Sequence, residues 1–408
     1  METTALRSTE ETGVLIAGSG IGGLTAALAL HAQGIKVSVI ERVRQITSMG
    51  VGISLQPHAV RELTRLGLGD TLAATGVATA EQVYADERGT RRFAEDVGMA
   101  AGYQWPQYAI HRGELQLLLL DAVRERIGPH AVRTGMRLES FTDERDVVRV
   151  RATDRATGLP TMIEAQALIG ADGARSTVRA ALHPQEGPMR WSGAWMWRGV
   201  TQTVPPFLTG RSAIIANDER DHQLVVYPIS GRRPLVNWVC LAFQAAPGPF
   251  IEDMGWNRKG SADDVLRHLQ GWDFAALGVD IHELVTSSQD IFEYPMVDRD
   301  PLPSWGRGRV TLLGDAAHPM YPTGANGASQ SIVDARVLAT ELGAGGGVAA
   351  ALARYEQARI GPTGDVMRAN REMDRSMRAR KGSDSVAAIT DRYRRTTGGD
   401  VMTVNAKT

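Results

Sequence analysis

The sequence predicts an α/β fold: a Rossmann-like nucleotide-binding domain, a β-sheet domain inserted into it, and a C-terminal helical segment. Three observations carry this. From Val14 to Glu41 an apolar run, a glycine-rich turn, a helical pattern and a second apolar run ending in an acid follow one another, the order of a dinucleotide-binding unit. Two later apolar runs end in turns of their own, at Gly170-Ala171-Asp172-Gly173 and at Gly314-Asp315. Between those turns the composition shifts, with seven of the eight Trp lying from Trp191 to Trp305 among strand-like runs.

The chain as a whole sets bounds. Its 408 residues suffice for two or three domains. A net charge of −1 gives no reason to expect a nucleic-acid partner. The 41 Arg against 4 Lys are spread along the whole chain, as a codon bias toward Arg would leave them. Cys240 is the only cysteine, so neither an intrachain disulfide nor a Cys-rich metal site is expected. No His, Asp and Glu cluster has metal-ligand spacing. Met1 to Thr12 is polar and acidic rather than basic then apolar, so no secretory signal is expected. No run of about 18 apolar residues suggests a membrane span. The expectation is a cytoplasmic monomer or homodimer acting on a small molecule.

Val14-Leu15-Ile16-Ala17 reads as a strand buried on both faces. In Gly18-Ser19-Gly20-Ile21-Gly22-Gly23, Gly18 allows a tight turn, Gly20 lets a pyrophosphate reach the backbone, and Gly23 lets helix pack on strand. Leu24, Ala27, Leu28 and His31 mark the helix, whose N-terminus offers free N–H groups to phosphate. Lys36 to Ile40 is the second strand, and Glu41 after it can accept hydrogen bonds from ribose hydroxyls. Gly50 to Leu55 reads as a glycine-rich strand entering a helix marked by Val60, Leu63 and Leu66 and ended by Gly67 and Gly69. His58, in the first turn of that helix, reads as a surface or capping residue. Arg112 opens an apolar helix, Leu115 to Val123, as either a phosphate partner or a surface side chain. Ala167 to Asp172 is a strand running into a turn, where Asp172 by itself reads as a helix cap.

In the middle, strands are expected at Trp195 to Val200, Ser212 to Ala216, Gln223 to Tyr227 and Leu235 to Cys240. Trp195 and Trp197 share one face of their strand, Met196 and Arg198 the other. An aromatic-lined face suits a flat apolar ligand, while most of these rings are expected to fill the core. Leu266, Leu269 and Trp272 suggest a short helix, and Tyr294 to Val297 a last strand. Arg309 to Leu313 is a strand feeding the turn that runs through Pro322-Thr323-Gly324-Ala325-Asn326-Gly327. Ala328, Ile332, Ala335, Ala339 and Leu342 mark the helix beyond it. A second helix is expected from Val348 to Ile360, with Gly361-Pro362-Thr363-Gly364 breaking or kinking the chain. Arg368, Arg371, Arg375 and Arg378 then form a stripe that reads as a solvated basic face. The nucleotide-binding domain is expected over 13–190 and 306–360, the sheet domain over 191–305, and C-terminal helices over 361–398.

The three turns in this order resemble the single-component FAD-dependent aromatic hydroxylases, the group of p-hydroxybenzoate and salicylate hydroxylases, over 14–360. Within that group Tyr108 to Gln116, Met196 to Thr201, Val236 to Cys240, Tyr294 to Pro303 and Leu312 to Gln330 are most similar to hydroxylases of phenazine carboxylates. The resemblance implies an FAD-binding fold of the p-hydroxybenzoate hydroxylase type. It implies that Gly18, Gly20, Ile21, Gly22 and Gly23 hold the ADP half of FAD, with Glu41 on the ribose and Arg42 beside it. Gly52, Ile53 and Gln116 would also bind the cofactor, and Arg112 would lie near the flavin and pyrophosphate. Asp172 and Gly173 would lie near the pyrophosphate and the nicotinamide donor. Gly314 and Asp315 would hold the ribityl chain, while Pro322, Gly324, Ala325, Asn326 and Gly327 line the isoalloxazine. Ser19 and His58 stand where Ala or Gly and Asn are commoner.

The implied reaction uses NADH or NADPH and O2, through a flavin hydroperoxide, to hydroxylate an aromatic acid. Decarboxylation accompanies it if the attacked carbon bears the carboxylate. The substrate is a phenazine-1-carboxylate type or similar polycyclic acid, or else a small phenolic acid as for salicylate or 3-hydroxybenzoate hydroxylases. Trp195, Arg198, Tyr227 and Tyr321 are the candidates for the substrate pocket, and no catalytic base is assigned. Trp195-Met196-Trp197 begins the W-x-W-x-I-P motif of flavin halogenases, but Gly199-Val200 replaces its Ile-Pro. A flavin-binding sensor without turnover is the reading from another class.

Overall fold

The computed structural model describes residues 7–48, 50–202, 207–251 and 258–378. A seven-stranded sheet organises it. Strand Arg7–Ala17 runs parallel to Val37–Glu41 on one side and to Pro160–Gly170 on the other. Val132–Thr134 adds a further parallel strand beside Val37–Glu41. The far edge of Pro160–Gly170 is shared. Its first half pairs antiparallel with Val148–Asp154, and its last three residues pair parallel with Val310–Leu312. Val14, Leu15, Ile16 and Ala17 are all buried, as expected of a strand covered on both faces.

The registers set Ala17 opposite Gly170 and Gly170 opposite Leu312. Three parallel strands therefore end level, and their three turns leave one edge side by side. That edge, at the carboxyl ends of the strands, is where open α/β sheets bind ligands. Helices Ile21–Ala32 and Gly327–Gly343 follow the first and third turns and pack on one another. Gly22 permits this: a Cβ there would lie 2.7 Å from Leu313 and 3.1 Å from Ser331.

Among the described residues a second sheet has eight strands. Its path is Gly248–Phe250, Met189–Gln202, Leu235–Phe243, His222–Pro228, Ser212–Asn217, Glu81–Asp86 and Arg91–Asp96, with Ser288–Asp298 paired to Met189–Gln202. The last two strands of the path form a hairpin that sequence reading left unassigned. Trp195, Trp197, Trp238 and Phe274 pack together in one buried cluster behind this sheet. The expected short helix is Ala262–His268, and a second, Ile281–Thr286, follows it. A small sheet of Gly52–Leu55, Gln107–His111 and Val77–Thr79 touches His222–Pro228 and Leu235–Phe243 of the second sheet on one side and helices Pro57–Arg65, Arg112–Arg126 and Gly327–Gly343 on the other. Among the described residues no helix is long and apolar enough to cross a membrane.

Several expectations are corrected. Gly69 does not end a helix but begins one, Gly69–Thr75. The chain does not break at Gly361 to Gly364: one helix runs from Val348 to Arg378 with Pro362 inside it. Thr363, Val366, Met367 and Asn370 are buried along that stretch, and this packing outweighs the roughly 3 kcal/mol cost of an interior proline. The basic stripe is not wholly solvated, because Arg371 is bound to Asp298 and Asp300. Of the C-terminal segment expected over 361–398, residues 379–398 lie outside the described residues.

Gly23 is fixed by close approach, since a Cβ there would lie 2.0 Å from the Gly18 carbonyl oxygen. Gly23→Ala should destabilise the protein by about 1–3 kcal/mol through overpacking, read as a lowered urea or thermal midpoint. An unchanged midpoint would mean that the loop yields freely there.

Candidate functional site

The first turn is held from behind so that its front stays open. Gly18 has φ +110°, a conformation suited to glycine. Ser19 is fully buried, and its N–H and hydroxyl both donate to Glu41 Oε2, at 2.9 and 2.8 Å. Val43 N–H donates to the other Glu41 oxygen at 2.9 Å. Gln116 Nε2 donates to the Ser19 carbonyl at 2.9 Å. Glu41 thus clamps the turn, a role sequence reading did not give it, and keeps lone pairs for a ribose. Among the described residues a Cβ on Gly20 would meet nothing within 4 Å. Among the described residues no side chain caps helix Ile21–Ala32 at its N-terminus, which leaves first-turn N–H groups for a phosphate. Arg42 is exposed just beyond the strand.

The second turn divides its residues. Gly173 lines the main cavity, with Ala171. Asp172 is absent from that lining. Its carboxylate accepts from Ser176 Oγ at 2.5 Å and Thr177 N–H at 2.7 Å, which braces Ser176, the residue that caps helix Thr177–Leu182 by accepting from Arg179 N–H at 2.9 Å. Burial pushes the Asp172 carboxyl above its ordinary range despite these bonds. Arg112, at the start of helix Arg112–Arg126, lines the cavity with an exposed side chain.

The third turn carries Gly314 at φ +63°, Gly324 at φ +79° and, unusually for a residue with a Cβ, Ala325 at φ +50°. Asp315 projects an exposed carboxylate into the cavity, and Pro322, Gly324, Ala325, Asn326 and Gly327 line it. Behind the turn lies a buried polar network. Asp334 accepts from Gly314 N–H at 3.1 Å and Arg359 Nε at 2.7 Å, and pairs with His318 Nε2 at 2.6 Å. Arg359 Nη2 donates to Gln330 Oε1 at 2.6 Å, and Gln330 Nε2 donates to Asn326 Oδ1 at 3.0 Å. Burial pushes the Asp334 carboxyl up, but His318 and Arg359 outweigh it and hold it below the ordinary range. The network reaches His58, whose Nε2 lies 3.4 Å from Gln330 Nε2. The surface reading of His58 is therefore wrong: it is 5% exposed and lines the cavity.

The cavity has a volume of about 540 Å³. Its floor is the second sheet. Met196 and Arg198 line it; Trp195, on the opposite face of the same strand, packs near Trp191 and Phe250 instead. Strand alternation gave the two faces correctly, and the face assigned to the pocket through Trp195 is corrected. Tyr227 and Tyr321 both line the cavity. Burial pushes their phenols up, so both are protonated at neutral pH. Tyr227 OH and Arg198 Nη2 donate to the Gly52 carbonyl at 3.0 and 2.5 Å, and Gly52 N–H donates to Asn237 Oδ1 at 2.7 Å. Ile53 also lines the cavity. Asn237, a fully buried amide, had a visible signal: it is a polar residue inside an apolar strand. Among the described residues no cluster could hold a metal ion.

The family described as an FAD binding domain matches residues 11–369. A phenazine 1,6-dicarboxylic acid hydroxylase of Lysobacter antibioticus is 50% identical over 397 residues, covering 94% of this chain and 97% of its own. A 3-hydroxybenzoate 6-hydroxylase of Aquipseudomonas alcaligenes is 33% identical over 359 residues, 86% of either chain. The structure of Klebsiella pneumoniae HpxO complexed with FAD and uric acid matches with a TM-score of 0.77 over 97% of this chain and 100% of that one, and at 24% identity it shows a shared fold.

The buried network makes a prediction whatever the cavity holds. Asp334→Asn leaves Arg359 without its anion and should cost about 3–5 kcal/mol of stability. Asp334 is held low in the folded state, so its stabilisation is complete above about pH 4 and is lost as pH falls through the depressed folded value. Unfolding midpoints across pH 3–7 should show a steeper acid loss in the unsubstituted protein than in Asp334→Asn. Parallel curves would remove Asp334 from that role.

Proposed function

The chain belongs to the FAD binding domain family and is an FAD-dependent aromatic monooxygenase, and we propose that its substrate is a fused-ring aromatic carboxylic acid of the phenazine type. One row of side chains on the cavity floor supports this substrate. Arg198 stands opposite Val239, Val239 opposite Val225, Val225 opposite Ile215, and Ile215 opposite Tyr84. All five line the cavity. At roughly 4.8 Å per strand the row spans about 19 Å. Three flat aliphatic residues thus lie between a guanidinium and a phenol. The Arg198 guanidinium lines one end of this row, a group suited to a carboxylate. The relative from Lysobacter antibioticus, named for a phenazine dicarboxylic acid, points to the same substrate class.

The residues fit FAD. The open face at Gly20, the uncapped helix start at Ile21 and the close packing at Gly18 and Gly23 form a cradle for a pyrophosphate. Glu41 would take the ribose, Asp315 the ribityl hydroxyls, and the 322–327 turn the isoalloxazine. When bound, FAD supplies the redox chemistry that couples NADH or NADPH and O2 to ring hydroxylation. The protein's share is position and dryness. Arg198 orients the acid, and the aliphatic row excludes water from the ring. Tyr321 offers a neutral hydroxyl to polar ring substituents, while Tyr227, its proton given to the Gly52 carbonyl, can accept from them.

Two measurements test this. Phenazine-1-carboxylate should stimulate NADH or NADPH oxidation and give a product heavier by one oxygen, or altered by loss of the carboxylate as well. Hydroxylation of salicylate or 3-hydroxybenzoate with no action on any phenazine acid would overturn the substrate class. Asp315→Ala should weaken FAD retention by about ten-fold or more, as expected for a lost hydrogen bond to a charged group. Full flavin occupancy in that variant after dialysis would place the ribityl chain elsewhere.

A further inference from the structure

One wall of the cavity comes from a part of the chain remote from all three glycine turns. The last two turns of helix Val348–Arg378 bring Met373 and Ser376 to the cavity lining. Arg371, between them and the proline, anchors this stretch. Its Nε and Nη2 bond Asp298 at 2.6 and 3.0 Å, and its Nη1 bonds Asp300 at 2.7 Å. Asn370 Nδ2 donates to the carbonyl of Tyr321 at 3.0 Å. Asn370 is 0% and Ser376 8% exposed. This is a packed wall fastened to the strand Ser288–Asp298 and to the Tyr321 loop. Met196 from the floor and Met320 from the loop line the same cavity, so three elements each contribute a thioether.

We propose that Met373 and Ser376 are specificity-determining residues: the wall they form fixes how many fused rings the cavity accepts. This rests on the aromatic-acid reading above. A thioether is unbranched and polarisable, and it adapts to the edge of a flat ring. Ser376 is small, and the volume it leaves belongs to the cavity. The anchors at Arg371 and Asn370 keep the backbone from retreating, so a larger side chain at 376 must take space from the ligand.

The experiment uses the FAD-loaded full chain and a panel of one-, two- and three-ring aromatic acids: 3-hydroxybenzoate, a hydroxynaphthoate and phenazine-1-carboxylate. Binding is read by the change in flavin fluorescence, and turnover by oxygen uptake. Ser376→Phe should weaken the three-ring acid by about ten-fold or more while changing the one-ring acid less than about two-fold. Met373→Ala, a milder change, should shift the same ratio the other way. FAD content and thermal midpoint serve as controls for folding. Equal effects on all ring sizes in both variants, or none in either, overturn the proposal. Failure of the unsubstituted protein to turn over any acid counts against the substrate class instead, and the binding ratios still decide the role of the wall.

Discussion

Three parallel strands end at one level, and the placement of everything else follows from that. Because Ala17, Gly170 and Leu312 are neighbours in register, three turns distant in sequence converge on one edge. Each turn then has a different task. The first exposes backbone donors, the second caps a helix while lending a glycine to the cavity, and the third presents Asp315. None of these tasks requires unusual chemistry from a side chain. They require that backbone come close to a ligand, which is why glycine recurs and why Ala325 is held at positive φ.

A backbone in such a conformation needs support, and Asp334 supplies it. Burying a carboxylate costs several kcal/mol, which good geometry with several donors can offset. Asp334 has three: the Gly314 amide, His318 and Arg359. Against a well-packed apolar alternative such a cluster adds little net stability. Its contribution is conformational, tying the start of the third turn to helices Gly327–Gly343 and Val348–Arg378. The continuation to Gln330 and Asn326 ties down the end of the same turn.

How much of this was legible depends on the range of the cause. Gly18, Gly20 and Gly23 were readable because their constraints are local, a turn and two close approaches within a few residues. The alternation of Trp195, Met196, Trp197 and Arg198 was readable too, but not which face meets the cavity, since that is decided by which sheet lies opposite. Asp334, Arg359 and Gln330 left no pattern: their partners lie on separate elements, and buried polar residues look like surface ones in a sequence. Arg371 was misread for the same reason. The helix through Pro362 was misjudged because local propensity opposes it while tertiary packing prevails. The 81–96 hairpin joins the second sheet only through long-range pairing with Ser212–Asn217, and nothing local announces that.

Gly52 sits where the two large sheets meet in function. Its amide is held by Asn237 and its carbonyl by Arg198 and Tyr227, all from the second sheet, while Gly52 and Ile53 belong to the strand beside the nucleotide-binding turns. A residue gripped through the peptide groups on both its sides cannot shift without the sheet that grips it. A ligand on either side that moves Gly52 must move Asn237, Arg198 and Tyr227 with it, and any free energy coupling two such ligands is equal in both directions.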